Sequence, residues 1–194
     1  KIVYEGRASK VILEADKVKE IEEYYNKCAE EGATEYQIEE SKKAMSSMEV
    51  LLSDPKLIRR IAEDFVLHYE KRIEEGSTVE GKAMFVTPSR QIAWMLYKDI
   101  IELRPEWGEA RTCPDYDLLP SEQQKKLKPI ERVKMVITRD KDDEKEQYDI
   151  LSNEDYRKDL ADQYKEVKSN FKIAIVVDMW ITGFDVPSLD TTYV

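Results

Sequence analysis

The 194-residue chain combines 41% hydrophobic with 37% charged residues, a balance typical of a globular protein with one sizeable core. No apolar run approaches the roughly 18 to 20 residues that a membrane span needs, so the sequence excludes a transmembrane helix. The net charge of −10 argues against a broad basic surface for nucleic acid, and any such contact must be local.

The cysteines and the chain ends set the expected context. Cys28 and Cys113 are far apart and lack metal-ligand or CxxC spacing, which predicts reduced thiols in a cytoplasmic protein. The sequence opens on Lys1 without a methionine and closes inside a predicted strand. We therefore expect it to be part of a longer protein.

The N-terminal part is predicted to be helical after a short extended segment over residues 1–15. Helices are expected over 16–30, 34–52 and 54–75, because apolar residues recur there at helical spacing. The third helix has the clearest start, with Asp54 as its cap and Pro55 at its first position. The stretch EEGSTVEG predicts a linker, so the helical section is assigned to residues 16–80.

Beyond the linker the pattern changes to strands that alternate with helices. Apolar runs predict strands over 82–87, 132–138, 172–177 and 191–194. Helices are expected after Pro88 and near Asp155, the second with a buried stripe of Tyr156, Leu160, Tyr164 and Val167. Residues 106–129 are interpreted as a surface excursion with one short helix near 121–127, and DKDDEKEQYD as a solvated acidic loop. This order predicts an α/β fold with a parallel sheet.

Polar residues follow two of these strands. The first strand runs into TPSR (Thr87 to Arg90), and the strand 172–177 is followed by Asp178 and by TGFD (Thr182 to Asp185). Both sets should lie at the same edge of a parallel sheet, which is where ligands bind in open α/β sheets. The alternatives are helix capping by Ser89 beside a surface arginine, and an ordinary loop with a turn glycine at Gly183.

Three segments together resemble one protein family. The segment VVDMWITGFDVPSLDTTYV resembles motif V of superfamily 2 helicases and translocases, in the form found in the motor (R) subunit of type I restriction enzymes. KAMFVTPSRQIAWMLYKDI resembles the motif IV region of the second RecA-like lobe, and IVYEGR the extended stretch that follows the first lobe.

The resemblance implies that residues 81–194 are a RecA-like (P-loop NTPase-like) helicase lobe, truncated at its C-terminal end. In this family two such lobes clamp ATP and move along double-stranded DNA before a separate nuclease domain cleaves it. The implied ATP-cleft residues are Gly183 and Asp185. The implied DNA-track residues are Thr87, Ser89, Arg90 and Thr182, and Asp178 is expected to brace the loop.

The resemblance also implies cofactors and partners. The intact subunit would use ATP and Mg²⁺, and it would assemble with specificity and methylation subunits and with its own first RecA-like lobe. The sequence contains no GxxxxGK[ST] phosphate loop, and the arginine-rich motif VI would follow Val194. We therefore expect the isolated chain not to hydrolyse ATP, and no metal site is predicted within it.

Two alternatives remain open at this point. The chain could be a lobe of another superfamily 2 helicase that acts on DNA or RNA. It could also be a non-catalytic α/β binding module, which the acidic charge and the missing phosphate loop favour. The only histidine, His68, is interpreted as a helix-face residue, and the three tryptophans as packing residues.

Overall fold

The computed structural model describes residues 54–76, 81–151, 154–177, 180 and 184–194. The chain divides into two compact units, residues 1–61 and 62–194. The predicted extended segment over 1–15 and the predicted helices over 16–30 and 34–52 lie outside the described residues. The predicted section boundaries at residues 15 and 80 stay predictions.

Helix α1 (Pro55–Glu74) begins as its sequence predicts. The Asp54 carboxylate accepts a hydrogen bond from the Lys56 amide at 3.0 Å, and Pro55 occupies the first position, where no intrahelical donor is needed. Further along, Phe65 packs edge-on against Phe85 with 5.5 Å between ring centroids. The predicted cap and this part of the predicted apolar stripe are confirmed.

The only histidine lies on this helix. His68 Nδ1 shares a hydrogen bond of 2.8 Å with the Tyr193 hydroxyl, and the two rings meet edge-on at 5.7 Å. This contact joins α1 to the last strand of the sheet. The interpretation of His68 as a helix-face residue is confirmed.

Four parallel strands form one sheet in the order β2-β3-β1-β4. Their bounds are β1 Lys82–Val86, β2 Val133–Val136, β3 Ile173–Val176 and β4 Leu189–Tyr193. All four residues of β3 are buried, as its unbroken apolar run predicts. The predicted α/β class with a parallel, RecA-like sheet is confirmed.

The remaining helices connect these strands. Their bounds are α2 Arg90–Leu103, α3 Ser121–Gln124, α4 Lys145–Ile150 and α5 Glu154–Lys165. Between α2 and β2 the chain makes 3-10 turns over Pro105–Gly108 and Tyr116–Leu118, and Trp107 and Cys113 anchor this excursion by burial. In the described part of the chain, no helix is both long enough and apolar enough to cross a membrane.

Tyr164, on α5, is the largest fully buried side chain among the described residues. Its ring packs against Phe171 at 4.8 Å, and its hydroxyl donates a hydrogen bond to the Ala83 carbonyl at 2.8 Å. Burial raises the pKa of this hydroxyl, so it remains a donor. The predicted stripe is wrong at Val167, which is 42% exposed because α5 ends at Lys165.

Lys82 is fully buried at the start of β1, which the apolar strand pattern did not predict. Its Nζ donates to the carbonyls of Tyr164 and Glu166, the second at 2.8 Å, and lies 5.1 Å from the Tyr164 ring centroid. These carbonyls belong to the last turn of α5 and the residue beyond it, where backbone acceptors lack intrahelical donors. Lys82 therefore fastens the end of α5 to the sheet.

The run DKDDEKEQYD is solvated over most of its length, as predicted, but the prediction of a loop is wrong from Lys145 onwards. Residues Lys145–Ile150 form α4, and Gln147 is buried. The Asp143 side chain is only 5% exposed because it forms an ion pair with Arg90. A carboxylate can be buried in this way when a cation and hydrogen-bond donors compensate for its lost hydration.

Candidate functional site

The candidate site is the edge of the sheet at the carboxyl ends of the strands. Thr87 directly follows β1, and its amide and hydroxyl both donate to the Val176 carbonyl, at 2.9 and 3.0 Å. This joins the ends of β1 and β3, the strands that lead into TPSR and TGFD. The Thr87 side chain is only 2% exposed, so it lies beneath the surface of the edge.

Ser89 begins α2 and caps it. Its backbone is extended, with φ −149° and ψ 161°, and its hydroxyl oxygen accepts the Ile92 amide at 3.3 Å. This is the usual way in which serine satisfies a free donor at the start of a helix. The capping interpretation of Ser89 is confirmed, and its side chain is half-buried.

Arg90 is more than a surface arginine. Its Nη2 donates to both carboxylate oxygens of Asp143, at 2.5 and 2.6 Å, and its Nη1 donates to the Thr138 carbonyl. Its side chain keeps 31% of its surface exposed. Since β3 lies between β1 and β2, these bonds join the first turn of α2 to the loop beyond a strand that is not adjacent to β1.

Asp143 also organises the loop that follows β2. Its Oδ2 accepts the Asp140 amide at 2.7 Å, and the Asp140 carboxylate accepts the Asp142 amide at 3.0 Å. We call residues 140–144 the acidic loop. Its last residue, Glu144, accepts a hydrogen bond from Trp94 Nε1 on α2 at 3.0 Å.

A lysine of α2 lies close to Glu144. Lys98 Nζ lies 4.0 Å from the Glu144 carboxylate and 4.9 Å from the Trp94 ring centroid. Trp94 itself is buried, which confirms its interpretation as a packing residue. The acidic loop is therefore attached to α2 at two points, through Arg90 and through Trp94 with Lys98.

The TGFD segment is described only in part. Asp178, Thr182 and Gly183 lie outside the described residues, so the structure gives no position for them. Asp185 is exposed to solvent. Of the predicted ATP-cleft residues, it is the one whose position is described.

An aromatic stack lies against α5, close in sequence to the TGFD segment. Trp180 and Phe184 stack with centroids 4.1 Å apart, and Trp180 lies 5.4 Å from Tyr164 of α5. Lys165 Nζ lies 4.9 Å from the Phe184 ring centroid. Trp180 adopts a φ of 61°, which is unusual for a bulky residue. The stack fixes Phe184, and with it the backbone that enters Asp185.

The opposite edge of the sheet carries two cavities, of about 150 and 310 Å³, which share Arg132 and Asn170. Their charged lining is mixed: Glu70, Glu106, Asp115, Arg111, Arg132, Lys168 and Lys172. Burial raises the pKa of the Cys113 thiol beside the smaller cavity, which disfavours its reactive thiolate. Among the described residues no group of acidic, histidine or cysteine side chains could hold a metal ion.

Comparison with known protein families identifies the family of this chain. Residues 79–194 match the family described as type I restriction enzyme subunit R domain 3. The chain belongs to this family. The matched range contains the whole sheet and both strand-end segments of this R-subunit domain.

Two relatives of this R-subunit domain are restriction endonuclease subunits. The chain is 32% identical over 155 residues, 80% of its length, to the type I restriction enzyme HindI endonuclease subunit of Haemophilus influenzae. It is 30% identical over 193 residues, 99% of its length, to the putative type I restriction enzyme MjaIXP endonuclease subunit of Methanocaldococcus jannaschii. It spans only 13% and 16% of these subunits. No solved structure matches the chain.

Sequence reasoning missed several residues that shape this edge. Asp143 and Glu144 lie in a highly charged run, and their partners on α2 are about 50 positions away in the chain. Phe184 had no signal beyond its place between Gly183 and Asp185. For Trp180 packing was correctly predicted, because the three tryptophans are scattered rather than interleaved with basic residues.

Proposed function

We propose that residues 81–194 form the second RecA-like motor lobe of an ATP-dependent DNA translocase and endonuclease subunit of a type I restriction enzyme. The subunit would work in the cytoplasm with ATP, Mg²⁺ and double-stranded DNA. Its partners would be the specificity and methylation subunits and the first RecA-like lobe of the same protein. Family membership supports this proposal, because both curated relatives are named as endonuclease subunits of such enzymes.

One structural observation carries the assignment of the site. The Thr87 amide and hydroxyl bind the Val176 carbonyl, so the TPSR segment and the strand that leads to TGFD meet at one sheet edge. Ligands bind at this edge in open α/β sheets. In a two-lobed motor the same edge can serve both ligands, with DNA along TPSR and nucleotide beside TGFD.

On the DNA side we assign direct contact to Ser89 and Arg90, whose side chains retain exposed surface. Thr87 was predicted to lie on the DNA track, but its hydroxyl is engaged with Val176 and its side chain is buried. We therefore propose that Thr87 supports the track from beneath. Thr182 keeps its proposed place on the track.

On the nucleotide side we assign Gly183 and Asp185 to the ATP cleft and Asp178 to bracing of the loop. Phosphoryl transfer requires a phosphate cradle, a metal ion and compensating positive charge. Asp185 offers an exposed carboxylate, which fits a role beside a metal-bound nucleotide but cannot itself bind phosphate. The cradle and the positive charge are assigned to parts of the subunit outside this chain.

The Arg90→Ala variant of the intact subunit tests the DNA side. DNA affinity should fall, and the slope of log affinity against log salt should become shallower by about 1, because one phosphate contact is lost. Fluorescence anisotropy with a labelled duplex at several salt concentrations measures both quantities. Arg111→Ala, a paired arginine at the opposite edge, is the matched control. An unchanged slope in Arg90→Ala would remove Arg90 from the track.

A further inference from the structure

The guanidinium that the proposed function assigns to DNA is already bound to an anion of the same chain. Arg90 Nη2 contacts both Asp143 oxygens, at 2.5 and 2.6 Å, while Nη1 is engaged by the Thr138 carbonyl. A phosphate oxygen makes the same kind of charge-assisted hydrogen bond to arginine as a carboxylate does. Asp143 therefore occupies Nη2, one of the guanidinium nitrogens through which a DNA phosphate would bind.

We propose that the acidic loop is an internal competitor for DNA, with the Asp143 carboxylate exchanged for a backbone phosphate at Arg90 when the duplex binds. This inference rests on the proposed function, in which Arg90 lies on the DNA track. No covalent step is involved. One ion pair is broken and another is formed.

The exposure of the pair makes such an exchange feasible. Asp143 is 5% exposed, but Arg90 keeps 31% of its side-chain surface open, so the guanidinium can be approached from solvent. Water that reaches the guanidinium screens its side of the ion pair, which lowers the net energy of the pair. A DNA duplex presents a dense row of phosphates, which favours exchange.

The internal bonds of the acidic loop let it move without unravelling. The Asp142 amide bonds to the Asp140 carboxylate, and this contact does not involve Asp143, so it travels with the loop. Its far end stays attached to α2 through Glu144, which is bound by Trp94 and approached by Lys98. To release Arg90, residues 140–143 then need only a local rotation about the point where Glu144 is attached to α2.

The charge of the loop strengthens the competition. Residues 140–144 read DKDDE, with four acidic side chains and one basic side chain. While the loop is bound at Arg90, these carboxylates lie beside the proposed track and repel phosphates. Exchange would remove both the occupant of Arg90 and part of this repulsion.

Duplex binding by variants of the intact subunit tests the proposal. Asp143→Asn keeps the shape of the side chain but removes its charge, and it should tighten binding about threefold to fivefold. Asp149→Asn makes the same change in charge at an exposed position on α4 and serves as the matched control, with a smaller effect expected. In an Arg90→Ala background, the additional gain from Asp143→Asn should disappear.

The outcomes distinguish competition at Arg90 from the proposed DNA track on which it rests. Weaker binding by Asp143→Asn would mean that Asp143 positions Arg90 for DNA, which overturns competition and keeps the track. Equal effects of Asp143→Asn and Asp149→Asn on DNA affinity would mean that only the net charge of the protein matters. That result would also overturn competition at Arg90. If Arg90→Ala itself leaves binding and salt slope unchanged, the DNA track fails, and the ion pair is structural.

A measurement on the wild-type protein tests the proposal even if a variant fails to fold. Hydrogen exchange of the Asp140 amide should become faster when duplex DNA is added, because displacement of the Asp143 carboxylate disturbs the acceptor of that amide, whereas exchange of the Asp142 amide, whose acceptor is Asp140, should stay the same. Hydrogen exchange of the Asp140 amide that stays the same or becomes slower would contradict the exchange of partners at Arg90.

Discussion

Replacing Asp185 by asparagine is expected to lower ATP hydrolysis and DNA translocation by the intact subunit about 10²-fold or more. The reason is electrostatic, since a carboxylate fixed beside the metal ion that holds the reacting phosphates contributes on this scale. Asp185 is exposed and follows Phe184, which the Trp180 stack holds in place. Loss of its charge should therefore change the chemistry with little effect on the fold.

Single-turnover ATP hydrolysis and a translocation assay measure this effect, with thermal unfolding as the test of folding. Asp117→Asn is the matched control, because Asp117 is exposed on the excursion between α2 and β2. Rates in Asp185→Asn that equal those of the wild type would remove Asp185 from the ATP cleft. A lowered unfolding temperature would instead indicate a structural role.

Truncation of Tyr164 to alanine is expected to reduce the free energy of unfolding by about 3 to 5 kcal/mol, the usual cost of removing a buried aromatic ring. Tyr164 is fully buried, and its ring contacts Phe171, Trp180 and Phe184. The same substitution removes the surface on which the Trp180 stack rests. Both the stability of the fold and the placement of Phe184 should therefore suffer.

Urea denaturation followed by tryptophan fluorescence measures the loss. Tyr164→Phe separates the ring from the hydroxyl, and loss of the bond to Ala83 should cost about 1 kcal/mol. Tyr148→Ala is the control, because its side chain is 40% exposed and its ring contacts Arg139, so its removal should cost only about 1 kcal/mol. Equal effects of Tyr164→Ala and Tyr148→Ala would contradict the central role of Tyr164.

Local signals in the sequence were sufficient to predict most of the described fold. Asp54 and Pro55 mark the start of α1, and Ser89 marks the start of α2, because a cap is a contact between near neighbours in the chain. The apolar run of β3 predicted burial on both faces. With crossover connections between strands, these signals also predicted that TPSR and TGFD share one edge.

Contacts between distant residues explain the misses. Arg90 and Asp143 are 53 positions apart, so a highly charged run was interpreted as solvated although its central carboxylate is buried. Lys82 looked like the polar start of an apolar strand, yet it binds carbonyls at the end of α5. Thr87 looked like a free hydroxyl, but the order of the strands places it against Val176. Periodicity and residue type carry none of this pairing information.

Photo-crosslinking tests most directly whether DNA runs along the carboxyl edge of the sheet. A photo-crosslinking residue in place of exposed Gln91, beside Arg90, should label duplex DNA bound to the intact subunit. The same residue in place of exposed Glu109, in the excursion where Arg111 lines the larger cavity of the opposite edge, should not. Labelling from position 91 that disappears with excess unlabelled duplex is the predicted result. Labelling from position 109 alone would contradict the account.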